Sequence, residues 1–457
     1  MMKMKFKIKR GGIAHRLAAM FLPMAVISLC SCSQEEPVAP VQEPTSENIE
    51  NPLTRSPQEA VAIAEQAWQE FYGSDASASR SSSAPLIDLS RPVEVVRGTQ
   101  SRGSSDADTL MYVVNFTDDA GFAIVAAPRN KEALLAVTSQ GHYYPESMPD
   151  EELIPGFELW MENVDMYLKS NNEAISRGDI SIGGGGLTPI KEWDDTIVYR
   201  KIDRQLNNTW GQGNNVLSEY MTYIDSEKPE GAYFSNGLCG CGPLAIAEVG
   251  LVLKRPSSIN MDKNNSGEQL TLDWNRMSRH KMFKYSFAAY GECDEPAAEQ
   301  YETHRMLAKM LRAIANKTDA VSVPGETTVT MDNMHKAALE LFGSNNVSGW
   351  NLLNINTNFQ NKEMLVVSGR STADATQGHA WVCDGLYYLV WDRYAEIPNQ
   401  YGFLETHYQG RQISAKLHFN WGWYGDCDGW YYNVTPSGEW KEGGTFSYKD
   451  LRYLKIK

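Results

Sequence analysis

The chain has 457 residues and a formal net charge of −15, from 42 Lys and Arg against 57 Asp and Glu. That acidity argues against nucleic acid as a partner, since phosphate binding needs a basic face. The length predicts two or three domains, and 12 Trp, 22 Tyr and 14 Phe supply bulk for sizeable cores.

The first thirty residues read as an export address. Lys3, Lys5, Lys7, Lys9 and Arg10 form a basic head, and Leu17 to Leu29 is an apolar run too short to span a bilayer stably. Leu29-Cys30-Ser31-Cys32 has the form of a bacterial lipobox, so residues 1–32 are expected to be a lipoprotein signal. Cys32 is the expected lipid-bearing residue, because Leu29 is a poor residue to precede a cleaved cysteine. The reading is an exported, outer-membrane-anchored chain, at the surface or released after processing, that meets the membrane only through its lipid. Ser33-Gln34-Glu35-Glu36 resembles the surface-export signal of Bacteroidetes lipoproteins.

Residues 33–54, rich in Pro, Glu, Gln and Ser, predict a disordered tether. Ser56-Pro57-Gln58-Glu59 predicts an N-cap, a first-turn proline and a capping-box glutamate, opening a helix to about Tyr72. Val93–Val96, Leu110–Phe116, Phe122–Ala126 and Leu134–Thr138 read as strands, the middle two as a hairpin. Pro155-Gly156-Phe157 opens a helix from Glu158 to Lys169. Residues 55–170 thus predict a small α+β domain. Residues 171–200, polar and Gly-rich with Lys and Arg along or beside them, read as a linker open to proteolytic processing.

Residues 201–457 read as one domain. Its first part is helical: an apolar run to Leu253, Glu299–Ala315 with Leu307, Met310, Leu311 and Ile314 on one face, and Met334–Phe342. Strands follow at Met364–Ser368, Ala380–Cys383, Tyr387–Asp392, Ala415–Trp421 and Trp430–Val434.

Cys241 is the most informative residue. It stands in Gly237-Leu238-Cys239-Gly240-Cys241-Gly242-Pro243, where a tight turn meets a helix start. A thiol there faces the positive end of the helix dipole, which favours thiolate. Gly378-His379-Ala380-Trp381-Val382 and Asn420-Trp421-Gly422-Trp423 lie downstream. Cysteine, histidine and asparagine in that order can serve as nucleophile, general base and orienting group for acyl transfer. The Cys-to-His separation falls within the roughly 130–150 residues of papain-like chains. Asn420 would accept the imidazole's second N–H; Trp421 would shield that bond or take the orienting part itself. Gln212, with the backbone N–H of Cys241, would donate to a tetrahedral oxyanion.

The bland readings are a buried small hydrophobe for Cys241 and sheet packing for His418. Cys239 is the rival nucleophile, but it has no Gly-Pro after it. Cys239, Cys241, Cys293, Cys383 and Cys427 form neither a disulfide framework nor a zinc site. No metal and no organic cofactor is expected.

These segments resemble those of streptopain-family cysteine peptidases (family C10). The resemblance rests on Gly240-Cys241 with Ala245, Ala247 and Pro256; on the His379 segment with Asp384-Gly385; and on the Asn420 segment with Asp428-Gly429. Thr209-Trp210-Gly211-Gln212 and Leu272-Asp273-Trp274-Asn275 add to it. Upstream, Glu59 to Ala64 and Val113-Val114-Asn115-Phe116 with Gly121-Phe122 resemble the family's inhibitory propeptide. The resemblance covers about 55–457 and implies an α+β fold: a papain-like, two-lobed peptidase domain at 201–457 behind a propeptide domain at 55–170. It also implies a zymogen, polypeptide substrates, a thioester acyl-enzyme, the propeptide as intramolecular inhibitor, and a hydrophobic preference two residues before the cut bond. Gly213-Asn214-Asn215-Val216-Leu217, Val321 to Thr328 and the loop Arg370–Gln377 depart from the family pattern. Alternative readings are a catalytically silent papain-like binding or adhesin domain, and a papain-like amide acyl transferase.

Overall fold

The structure is a computed structural model that describes residues 53–73, 87, 94–97, 109–145, 154–169, 191–212, 239–280, 297–323, 326–343, 346–370, 378–399, 401–433 and 449–457. The expected lipobox at Cys32, nearly all of the tether and the linker as far as 190 lie outside the described residues.

Helix α1 (Pro57–Tyr72) begins as its sequence predicts. The Ser56 hydroxyl accepts the Glu59 N–H, and Glu59 accepts the Ser56 N–H at 2.7 Å. Ala60, Ala64, Ala67, Trp68 and Phe71 form its buried stripe. It packs on a meander of β1 (Glu94–Arg97), β2 (Thr109–Asn115), β3 (Phe122–Ala126) and β4 (Leu134–Thr138), while α2 (Pro155–Lys169) lies on the opposite face.

The carboxyl-terminal region contributes β5 (Lys191–Ile202), α3 (Cys241–Leu253), α4 (Ala297–Lys317), α5 (Met331–Phe342), β6 (Asn346–Gly349), α6 (Leu352–Gln360), β7 (Met364–Arg370), β8 (Gly378–Pro398), β9 (Leu404–Asn420), β10 (Gly429–Tyr432) and β11 (Lys449–Ile456). One sheet runs through both regions, in the order β1-β2-β3-β4-β10-β9-β8-β7-β11-β6. The join is β4 against β10, antiparallel, with Trp430 opposite Val137 and Tyr431 opposite Ala136.

Strand alternation sorts the core. Val366, Ala380, Val382, Leu454 and Ile456 face α3, α4 and α5. Leu365, Val367, Trp381, Cys383 and Tyr453 face the other way, toward α2 and α6. At the join, Phe71 of α1 meets Trp430 at 4.9 Å and Tyr387 at 5.3 Å between ring centroids. Each such pair adds about 0.5–1.5 kcal/mol beyond the area it buries. Lys416, 5% exposed, reaches Glu132 of the first region at 2.8 Å.

Three features differ from the sequence reading. The last part of the expected linker is strand: β5 pairs with β8 from Lys191↔Glu396 to Ile202↔Leu386. Strand β8 outruns β7, which pairs it only from Gly378 to Cys383, and β5 covers the backbone edge left open. Second, the expected strands Ala380–Cys383 and Tyr387–Asp392 are one strand, with a bulge between Cys383 and Gly385. Third, β8 and β9 continue far beyond the core as a long hairpin arm with exposed Tyr401, Phe403 and Tyr408 near its tip.

Candidate active site

Cys241 is the first residue of α3. Gly240 before it has φ +84, and a Cβ there would stand 2.8 Å from Thr327 Cγ2. A Cβ on Gly242 would stand 2.3 Å from Val329 Cγ1. Glycine on either side therefore lets the Thr327–Met334 segment close against the thiol's flanks. Cys241 is half-buried. Burial pushes its thiol up, but the His379 imidazole's charge and hydrogen bond, with the N–H groups of Ala380 and Gly242, bring it below its ordinary value. Cys239 is wholly buried, and burial first, then Cys241 and Glu248, drive its thiol far upward. The environment thus separates two thiols two residues apart.

His379 lies near the start of β8, opposite Gly369 of β7, and is 5% exposed. Its Nε2 is 2.8 Å from the carbonyl oxygen of Trp421. A carbonyl only accepts, so Nε2 carries the hydrogen, and in the neutral ring Nδ1 is left to take a proton. The ring stacks on Trp381 at 13°.

The asparagine does not reach the imidazole. Asn420 Nδ2 donates to Asn208 O at 3.2 Å, and Asn420 Oδ1 accepts the Gly422 N–H at 3.0 Å. That N–H belongs to the same peptide group as the Trp421 carbonyl. Asn420 therefore orients the carbonyl on which the histidine leans, and the expected direct contact is replaced by one relayed through the main chain. Trp421 is fully buried, and its indole N–H donates to Cys427 O at 3.0 Å.

Gln212 is clasped between the cysteine and asparagine segments. Its carbonyl accepts the Cys239 N–H at 2.9 Å and its N–H donates to Gly422 O at 3.2 Å. The structure thus gathers Cys241, His379, Trp421, Asn420 and the main chain of Gln212 at the meeting of α3 with the β8 and β9 ends.

Four nearby residues had no role assigned from sequence. Asp384, at the β8 bulge, accepts the N–H groups of Gln205 (2.9 Å) and Leu206 (2.7 Å) and meets His418 Nδ1 at 2.6 Å. Asp428 accepts the Trp421 N–H at 2.8 Å. Burial, then Asp428 and Asp384, raise the Glu248 carboxyl well above the usual range. The pairs Asp384-Gly385 and Asp428-Gly429 were visible as motifs, but their partners are fixed only by long-range pairing. The remaining residue is Gly156, at the start of α2. A Cβ on it would stand 2.2 Å from Trp421 Cε3 and 2.8 Å from His379 Cδ2. The amino-terminal region therefore rests its helix directly on the indole and imidazole.

Among family models, the peptidase C10 family matches residues 210–431 and the Spi protease inhibitor matches residues 46–168. Among solved structures, a prointerpain A fragment of Prevotella intermedia is 18% identical, with a TM-score of 0.46, over 79% of this chain and 98% of that one. No curated protein matches.

Proposed function

We propose the part each site residue plays from the premise that the chain carries a peptidase C10 region at residues 210–431 behind a Spi-type inhibitor region at residues 46–168, and so is a cysteine peptidase precursor. Cys241 is the nucleophile. His379 takes its proton at Nδ1, and the thiolate attacks the peptide carbonyl. The tetrahedral oxyanion is met by the Cys241 N–H and the Gln212 amide; losing one such donor typically costs about 2.7–4 kcal/mol. His379 then protonates the leaving amine, and water hydrolyses the thioester. Trp421 and Asn420 orient the imidazole. The observation that carries this reading is the placement of Cys241 at the first position of α3 beside a His379 ring whose Nε2 is held on the Trp421 carbonyl, with the imidazole drawing the thiol below its ordinary value.

The contact of Gly156 with His379 and Trp421 supports latency imposed by α2. Processing in the strip before β5 would cut the covalent connection and leave α2 free to dissociate. Export through the Cys32 lipobox would place the precursor at the outer membrane, in keeping with polypeptide substrates outside the cell.

An epoxide thiol probe tests the assignment. Full chain treated with trypsin is expected to label stoichiometrically at Cys241 and to cleave a protein substrate. Labelling without cleavage would favour an acyl transferase, and neither would favour a silent binding domain. Latency has a separate test. Overpacking by Gly156→Val should cost about 1–3 kcal/mol at the α2 contact, loosening it roughly 5- to 150-fold. Uncut precursor carrying that change is expected to label faster than wild type; equal rates would remove α2 from the inhibitory contact.

A further inference from the structure

We propose that Asp428 is a positioning residue for His379, acting through the backbone of Trp421. Trp421 donates its N–H to Asp428 Oδ1 at 2.8 Å and offers its carbonyl to His379 Nε2 at 2.8 Å. One Cα separates the two bonds. Asp428 fixes the peptide plane before that Cα, and Asn420, through the Gly422 N–H, fixes the plane after it. With both planes held, the Trp421 carbonyl has one direction, and so has the imidazole resting on it. Gly422 at φ +75 packs against Leu244 of the nucleophile's own helix, where a Cβ would stand 2.9 Å from Leu244 Cδ2. Histidine and cysteine are thereby indexed to each other through a single turn. Asp428 itself is 7% exposed, so the bond it accepts is not exchanged readily for one to water.

Burial, with Asp384 and Asp426 adding, raises the Asp428 carboxyl well above the usual range. A neutral side chain is thus already suited to the position, and asparagine keeps its accepting oxygen. The role rests on His379 being the base, but its test is read first in uncut full-length precursor, where no catalysis is needed. The precursor is labelled with ¹⁵N-histidine, and His379→Gln identifies the Nε2 resonance. In Asp428→Ala that resonance is expected to shift and its N–H to exchange faster with solvent, while Asp428→Asn keeps the wild-type signature. After trypsin treatment, Asp428→Ala should lose roughly tenfold or more in kcat, with KM little changed, and Asp428→Asn should recover it. Folded Asp428→Ala with wild-type resonance and kcat overturns the proposal. So does Asp428→Asn as impaired as the alanine. Should the alanine variant not fold, Asp428→Ser, one atom shorter than aspartate, carries the same expectation. Failure of the peptidase reading would appear separately, as activity retained by His379→Gln.

Discussion

Cys241→Ala is expected to lower peptide hydrolysis by about a millionfold, the scale seen when a nucleophile is removed from a hydrolase whose groups act as a unit. No other described thiol can take over. Cys239, Cys383 and Cys427 are all buried, and burial pushes each of them up. Cys239→Ala should therefore keep activity, and the pair of variants separates neighbours that a chemical label could confuse. The pH dependence follows from the same cause. Because the Cys241 thiol is depressed, its thiolate persists as pH falls below the ordinary thiol value of about 8.5. Alkylation of processed wild type should fade only below that lowered value. The measurements are hydrolysis of a fluorogenic peptide and the appearance of a new amino terminus in the precursor. Self-processing by Cys241→Ala would end the assignment.

Asp384→Ala is expected to destabilise the precursor by about 3–5 kcal/mol, because it leaves three buried donors without their acceptor, each unmet donor costing about 1–3 kcal/mol. Asp384 and His418 are 0% and 2% exposed. Without the carboxylate, the Gln205 and Leu206 N–H groups and His418 Nδ1 lose their acceptor inside the protein. The bulge at Asp384 is what aims the carboxylate at all three. The damage should also reach the site, because the segment it anchors continues to Trp210 and Gln212. Asp384→Asn, which keeps one accepting oxygen, should cost less. Urea midpoints on a Cys241→Ala background measure both, and a loss below about 1 kcal/mol for the alanine would show that the N–H groups find other partners.

The most local signals were the most legible. The α1 start needed only Ser56 and Glu59 in register, and Cys241 needed only flanking glycines and Pro243 before an apolar run. His379 was readable as a member of an ordered set, although its exact partner was not. Asn420 pointed to the correct turn but to the wrong atoms, because which atom faces the imidazole depends on the Trp421-Gly422 peptide plane, and no residue-type pattern encodes that plane. Strand β5 was missed for a different reason. Its sequence is as polar as the linker before it, and what orders it is an open edge on a strand far along the chain. Gly156 looked like a helix opener, and its close approach to Trp421 exists only once two separate regions share a sheet.

That shared sheet separates scission from release. A break within 170–190 would cut one connection, yet β4 would remain bonded to β10, Phe71 would remain on Trp430, and Glu132 would still hold Lys416. The nicked molecule is then a two-chain complex whose lifetime is set by dissociation, and the moment at which activity appears reports that off-rate rather than the rate of cutting.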